Sequence, residues 1–237
     1  MKAILFYSGI AFLTTLTGSF LPFYKEAWAK RHLWRLLAFS SGVLLGIAFL
    51  HLLPEAFSLS SHLAGMTLLL TFAFLFAAEN VTMVHACEDF LKPPTSAVRP
   101  IGALVALTLH AGVDGMAIGV GLQQNIVLGS VISFGVILHK FSDGMTLTSL
   151  LRAAGYPKRR ELTLCLLLAL ATPLGALLSF HFSGPLPPKA IAVVLGIASG
   201  SFLYVGAADL LPRLHESHDR YCLFFFLLGI SAVAIMP

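Results

Sequence analysis

HAGVDG at residues 110–115 and HKFSDG at residues 139–144 write one pattern twice: a histidine, then four residues later an aspartate followed by glycine. Positions i and i+4 share a face of a helix, so His110 sits above Asp114 and His139 above Asp143. Both motifs lie in the middle of long apolar stretches, where an ionisable side chain is costly and marks a functional site by default. Two imidazoles and two carboxylates are enough to hold one divalent metal ion.

Outward from these motifs, the rest of the chain reads as membrane. Of 237 residues, 57% are hydrophobic and only 11% charged, against about 25% charged in a soluble domain; mean hydropathy is +0.88. Eight apolar runs, roughly 3–23, 34–57, 63–86, 100–122, 126–151, 161–182, 189–212 and 221–236, each approach the ~20 residues needed to cross a bilayer. The expected fold class is an all-α polytopic membrane protein of eight transmembrane helices, forming a single transmembrane domain over residues 1–237. Residues 1–20 read as a retained span rather than a leader, because Lys25 to Arg35 hold the following end inside and the small-residue cleavage site is weak. Cys87, Cys165 and Cys222 have neither CxxC spacing nor an even count, so neither a disulfide framework nor a thiolate site is indicated.

The basic balance speaks of orientation rather than nucleic acid. With connections alternating sides, Lys25, Lys30, Arg31, Arg35, Lys92, Arg99, Arg152, Lys158, Arg159, Arg160, Arg213 and Arg220 fall on one side; Lys2 and Lys189 fall on the other, and Lys140 lies within a span. The rich side faces the cytoplasm by the positive-inside rule, so both termini face away from it. The short loops suggest a prokaryotic plasma membrane.

Gln123-Gln124-Asn125 joins the fourth and fifth spans, making them antiparallel neighbours. One motif on two antiparallel helices implies a pseudo-two-fold axis in the membrane plane near the His/Asp cluster, the inverted-repeat logic of secondary transporters. A second duplication agrees: Ser41-Gly42 and Leu52-Leu53-Pro54 match Ser199-Gly200 and Leu210-Leu211-Pro212 at one constant offset, which aligns His51 with Asp209. The plan is three spans, a central pair, then three spans. Gly42/Gly46, Gly115/Gly119 and Gly196/Gly200 are small-xxx-small packing pairs, and Pro54, Pro173 and Pro212 should kink or open their helices.

Taken together, His110, Asp114, His139 and Asp143 suit Zn²⁺ and similar borderline ions; an all-oxygen Ca²⁺ or Mg²⁺ cage would lack the histidines. Two carboxylates neutralise the dication. The cluster contains no cysteine, which favours a site that binds and releases over a structural clamp. Binding should weaken at low pH, because both imidazoles must be neutral to ligate.

HAGVDGMAIG, HKFSDG, HLLPEA at residues 51–56, ATPLGALL at 171–178 and FLYVGAADLLP at 202–212 together resemble the ZIP (Zrt/Irt-like) metal transporters, in the branch with His-Lys in the fifth span. The resemblance implies uptake of divalent metal into the cytoplasm, typically Zn²⁺, with Cd²⁺, Fe²⁺ and Mn²⁺ as other substrates and no resident cofactor. It also implies a 3+2+3 helix plan, a homodimer in the bilayer, and an elevator-like motion. Spans one, four, five and six would slide against two, three, seven and eight. Many members of the family hold a second ion, and the positions that would bind it are Ala111, Lys140 and Thr172 here. Neither Ala nor an ammonium can ligate. A Lys⁺ about 5 Å from a dication repels it by roughly 6–7 kcal/mol at an effective dielectric near 20. One ion per protomer is therefore expected, with Lys140 standing in for the second and leaving the site near −1.

His51, Glu55 and Asp209, beside Pro54 and Pro212, are candidates for passing ions along a pathway. Glu79 and Asn80 read as structural. His85, Glu88 and Asp89 lie in a short cytoplasmic connection where many relatives are His-rich, and a sensor role is not expected of it. His215, Glu216, His218 and Asp219 read as a solvated interface, and His181 as an end-of-span residue. The alternative from another class is a zinc-dependent intramembrane hydrolase, in which one Asp would serve as base for a metal-bound water. Against it stand the absent HExxH pattern and the duplication, since a site that must open to both faces needs symmetry and an enzyme does not. A metal sensor would want a soluble output domain, which this sequence does not contain.

Overall fold

The computed structural model describes residues 1–82, 98–182, 186–217 and 219–236. His85, Glu88, Asp89 and His218, with the side chains of Glu79 and Asn80, lie outside the described residues. Every assigned element is helical: α1 (Lys2–Tyr24), α2 (Glu26–Ile47), α3 (Leu53–Thr82), α4 (Val98–Gln124), α5 (Ile126–Ala153), α6 (Lys158–Phe182), α7 (Pro188–Leu203), α8 (Leu211–Glu216) and α9 (Tyr221–Ala234). Two π-helical segments, Ala48–Leu52 and Tyr204–Leu210, join α2 to α3 and α7 to α8. In a bilayer such a fold is what remains available, because each backbone N–H and C=O must be satisfied inside its own segment.

Among the described residues, six helical segments are long and apolar enough to cross a membrane. One of them, Arg31–Ala78, runs for 48 residues, about twice a single crossing. The loop expected at residues 58–62 is reduced to Ser60, whose extended backbone (φ −167°, ψ 98°) breaks the helix. The last apolar helix, α9, has 14 residues.

Prolines explain the two π segments. A proline has no N–H to donate, and its ring collides with the carbonyl four residues earlier. For Pro54 that carbonyl belongs to Leu50, and for Pro212 to Ala208. Each lies inside a π segment, where the wider turn moves the carbonyl off the ring. Pro173, by contrast, is carried inside α6 without an assigned break. The expected kinks therefore take the form of matched π turns at two of three prolines, and they carry His51 and Asp209.

The helices pair densely as α1 with α5, α4 with α6, α3 with α7 and α2 with α9, while α4 also lies along α5. Glycines set the closest of these approaches. A Cβ at Gly18 would strike the Phe141 carbonyl and one at Gly144 the Thr15 carbonyl, so α1 and α5 touch backbone to backbone. Gly175 against Gly112 and Gly115 against Thr172 do the same for α6 and α4. Asn125 ends the short α4–α5 connection as an N-cap, its Oδ1 accepting the Leu128 N–H at 2.8 Å, which holds the two motif-bearing helices side by side.

Candidate metal centre

His110 is the 13th of the 27 residues of α4, and His139 the 14th of the 28 in α5, so both motifs sit at mid-length. Each i,i+4 pair turns toward the other helix, and the four side chains meet. One ligand atom from each of His110, Asp114, His139 and Asp143 lies within 4.8 Å of the other three, the sole such cluster among the described residues. A tetrahedral ion with bonds of about 2.0 Å needs its ligands about 3.3 Å apart, so small side-chain rotations close the set.

The interior contacts are specific. His139 Nε2 lies 3.3 Å and His110 Nε2 3.6 Å from Asp114 Oδ2. The two imidazole centroids are 5.6 Å apart. Asp114 and His139 are wholly buried and His110 is 4% exposed; the Asp143 carboxylate is the most open of the four. His139 Nδ1 is 3.0 Å from the Gly135 carbonyl of its own helix.

Lys140 packs directly against the cluster. It is wholly buried. Its ammonium donates to Asp143 Oδ2 at 2.7 Å and forms an ion pair with Asp114 Oδ2. One lysine thus bridges both carboxylates. Ala111 is fully buried among Leu147, Leu168 and Ala171 and offers no ligand. Thr172 Oγ1 is buried and finds no hydrogen-bond partner among the described residues.

The fold does not bring His51, Glu55 or Asp209 into the cluster. His51 is half-buried in the first π segment, its Nε2 buried and without a hydrogen-bond partner among the described residues. Glu55 follows Pro54 in the first turn of α3. Asp209, in the second π segment, pairs with Arg213 one turn on. At the far end of that helix, Arg35 Nε donates to Asp219 Oδ2 at 2.8 Å, and that hydrogen bond holds the Asp219 carboxyl below the usual carboxylate range. His181 and His215 are exposed.

Two residues of the site had no expected role. Ser201 Oγ lies 2.8 Å from His110 Nδ1. Phe202, wholly buried, packs against both imidazoles at steep interplanar angles of 66° and 74°, with centroids 5.9 and 5.7 Å away. Both come from α7, and the one signal in the sequence was that FLYVGAADLLP opens one residue after Ser201, in the middle of an apolar run.

These features define a helical integral membrane protein that encloses a His/Asp/Lys cluster at mid-length of its helices. The family model for the ZIP zinc transporters matches residues 85–237, and the chain belongs to that family. It is 28% identical over 219 residues to zinc transporter ZIP13 of Pongo abelii, covering 86% of this chain and 64% of that protein. To zinc transporter ZIP9 of Micropogonias undulatus it is 29% identical over 161 residues, 63% of this chain and 51% of the relative. To zinc transporter ZIP2 of Homo sapiens it is 31% identical over 142 residues, 56% and 44% of the two chains. The chain spans less than two thirds of the length of each of these relatives.

Proposed function

We propose that this protein carries a divalent metal ion, zinc foremost, across the membrane into the cytoplasm by alternating access through one mononuclear site built from His110, Asp114, His139 and Asp143. The observation that carries the reading is the meeting of those four ligand atoms at mid-length of two adjacent antiparallel helices. A buried pair of imidazoles and carboxylates has the donor chemistry for Zn²⁺, and Cd²⁺, Fe²⁺ and Mn²⁺ can use the same donors. The names of the relatives, zinc transporters all, support the substrate class.

Eight spans in a 3+2+3 inverted repeat is the arrangement we infer, counting Arg31–Ala78 as two spans about Ser60 and α9 as the eighth. The packing supports it. Exchanging α1 with α6, α2 with α7, α3 with α9 and α4 with α5 returns the same set of close pairs. Backbone contacts follow that exchange: Thr15 and Gly18 against α5 mirror Thr172 and Gly175 against α4, and Gly42 against Phe226 mirrors Gly200 against Leu68.

The same pairs divide the helices into α1, α4, α5 and α6 on one hand and α2, α3, α7, α8 and α9 on the other. Backbone-to-backbone contacts lie within each set, whereas Gly135 meets the other set only through side chains, Ile47 foremost. Val43, Leu44, Ile47, Ile132 and Val136 make an aliphatic seam between them. A seam of side chains can slide at lower cost than locked backbones, which supports an elevator-like motion carrying the metal site with the first set. The homodimer and the outward-facing termini belong to this proposal; for the termini the Lys/Arg distribution is the support.

Uptake of ⁶⁵Zn²⁺ into sealed proteoliposomes tests the function. Saturable uptake by the wild type that disappears in Asp114→Ala/Asp143→Ala is the expected result. Wild-type liposomes that bind one zinc ion per chain yet accumulate none would overturn transport.

A further inference from the structure

Each site histidine presents Nε2 toward Asp114 and turns Nδ1 away, and the two Nδ1 atoms are held differently. His139 Nδ1 meets the carbonyl of Gly135, one turn earlier on the same helix. That partner travels with α5 wherever α5 goes. His110 Nδ1 meets Ser201 Oγ at 2.8 Å. Ser201 belongs to α7, which packs along α3 and meets α4 less closely. The serine is buried, at 2% exposure, and its neighbour Phe202 closes on the same imidazole.

We propose that Ser201 is a positioning residue for the metal site: its hydroxyl holds His110 in the tautomer and rotamer that direct Nε2 at the ion, and it does so from the opposite set of helices. An imidazole that ligates through Nε2 carries its proton on Nδ1, and a fixed acceptor for that proton selects the tautomer and raises the ligand's basicity. Here the acceptor is Ser201 Oγ. Sliding α4 along α7 separates donor from acceptor, frees the His110 ring and weakens the site, while His139 keeps its intrahelical partner. Metal affinity is thereby tied to the register between the two sets of helices, so displacement itself promotes release.

A cleft of about 400 Å³ opens between α3, α4 and α7, and Thr67, Thr71, His110, Val113 and Ser201 are among its lining residues. Ser201→Thr keeps a hydroxyl at this lining position, which makes it the conservative partner for Ser201→Ala.

The inference rests on the metal-site reading above, and the test separates the two. Zn²⁺ titrations of the full chain in nanodiscs by calorimetry are paired with ⁶⁵Zn²⁺ uptake kinetics, for the wild type, Ser201→Ala, Ser201→Thr and Asp114→Ala/Asp143→Ala. Loss of the hydroxyl should raise Kd and KM about 10- to 100-fold with kcat within about 2-fold of wild type, and Thr should restore both to within about 3-fold. A role in packing alone would lower kcat and leave Kd unchanged, overturning the inference. Wild-type Kd in Ser201→Ala, or a Kd raised equally in Ala and Thr, would also overturn it. If the double aspartate variant binds zinc as tightly as the wild type, the metal-site reading itself fails, and the Ser201 inference with it.

Discussion

Lys140 places its ammonium against both carboxylates of the proposed site, so a metal ion held by Asp114 and Asp143 shares them with a cation the protein supplies itself. A buried ion pair gives little net stability, but removing one partner leaves the other charge buried and uncompensated, at about 3–5 kcal/mol. Lys140→Met should therefore lower the melting temperature of the purified protein, and Zn²⁺ should raise it by more than in the wild type. Zinc affinity by equilibrium dialysis should tighten about 10-fold, or about 1.4 kcal/mol. An unchanged Kd in that variant would rule out competition between the lysine and the ion. Phe202 is the other residue at this scale: wholly buried, it packs against both imidazoles.

Elements are joined here by removing side chains. α4 and α5 carry the metal motifs, and each is fastened by glycines: Gly115 against the Thr172 carbonyl of α6, and Gly144 against the Thr15 carbonyl of α1. In Gly115→Ala or Gly144→Ala the new methyl must displace a backbone, and overpacking of this kind costs about 1–3 kcal/mol. Gly9→Ala and Gly65→Ala, which meet nothing within 4 Å, should be close to neutral. Thermal melting in detergent distinguishes the sets, and equal melting temperatures for all four variants would contradict the close backbone approach. The π segments are the second device of this scale. Because a wide turn shifts the register of the residues beyond it, Pro212→Ala should let Tyr204–Leu210 relax toward an α-helix and rotate Asp209 relative to α7; reduced uptake at unchanged zinc affinity is the expected outcome.

Across the whole molecule, the distribution of Lys and Arg is the support for the proposed orientation. Arg152, Lys158, Arg159 and Arg160 mark one end of the α5–α6 hairpin, while Lys189 opens α7 at the other end of the bundle. With Cys165 and Cys222 buried, and Cys87 replaced by serine, single cysteines at Arg159 and Lys189 report sidedness. A membrane-impermeant maleimide applied to whole cells should label the Lys189→Cys variant and spare Arg159→Cys, which reacts only after permeabilisation. The reverse pattern would invert the topology and with it the direction assigned to transport. Competition of ⁶⁵Zn²⁺ uptake by Cd²⁺, Fe²⁺ and Mn²⁺ belongs at this scale too, because discrimination among ions that share these donors depends on how rigidly the two helix sets hold them.

The helical class, the apolar character of the chain and the meeting of His110, Asp114, His139 and Asp143 were legible in the residues alone, because each obeys a local rule: apolar length for a span, i,i+4 spacing for a shared face, and a short connection for antiparallel neighbours. That Lys140 would lie beside the cluster was equally visible, since it follows His139 in the chain. Contact between segments distant in sequence was not disclosed by the chain alone. Nothing in HAGVDG says that His110 will find Ser201 91 residues away, nor that one lysine will span two carboxylates on different helices. Proline chemistry announced a disturbance near residues 54 and 212 but not that it would be a π turn, a choice made by which wider turn the neighbouring helices can pack against. Local sequence determined which side chains share a helix face and at what depth they lie; only the packing of α7 against α4 decided that Ser201 meets His110, because a side chain's partner across a helix interface is set by backbone approach rather than by spacing along the chain.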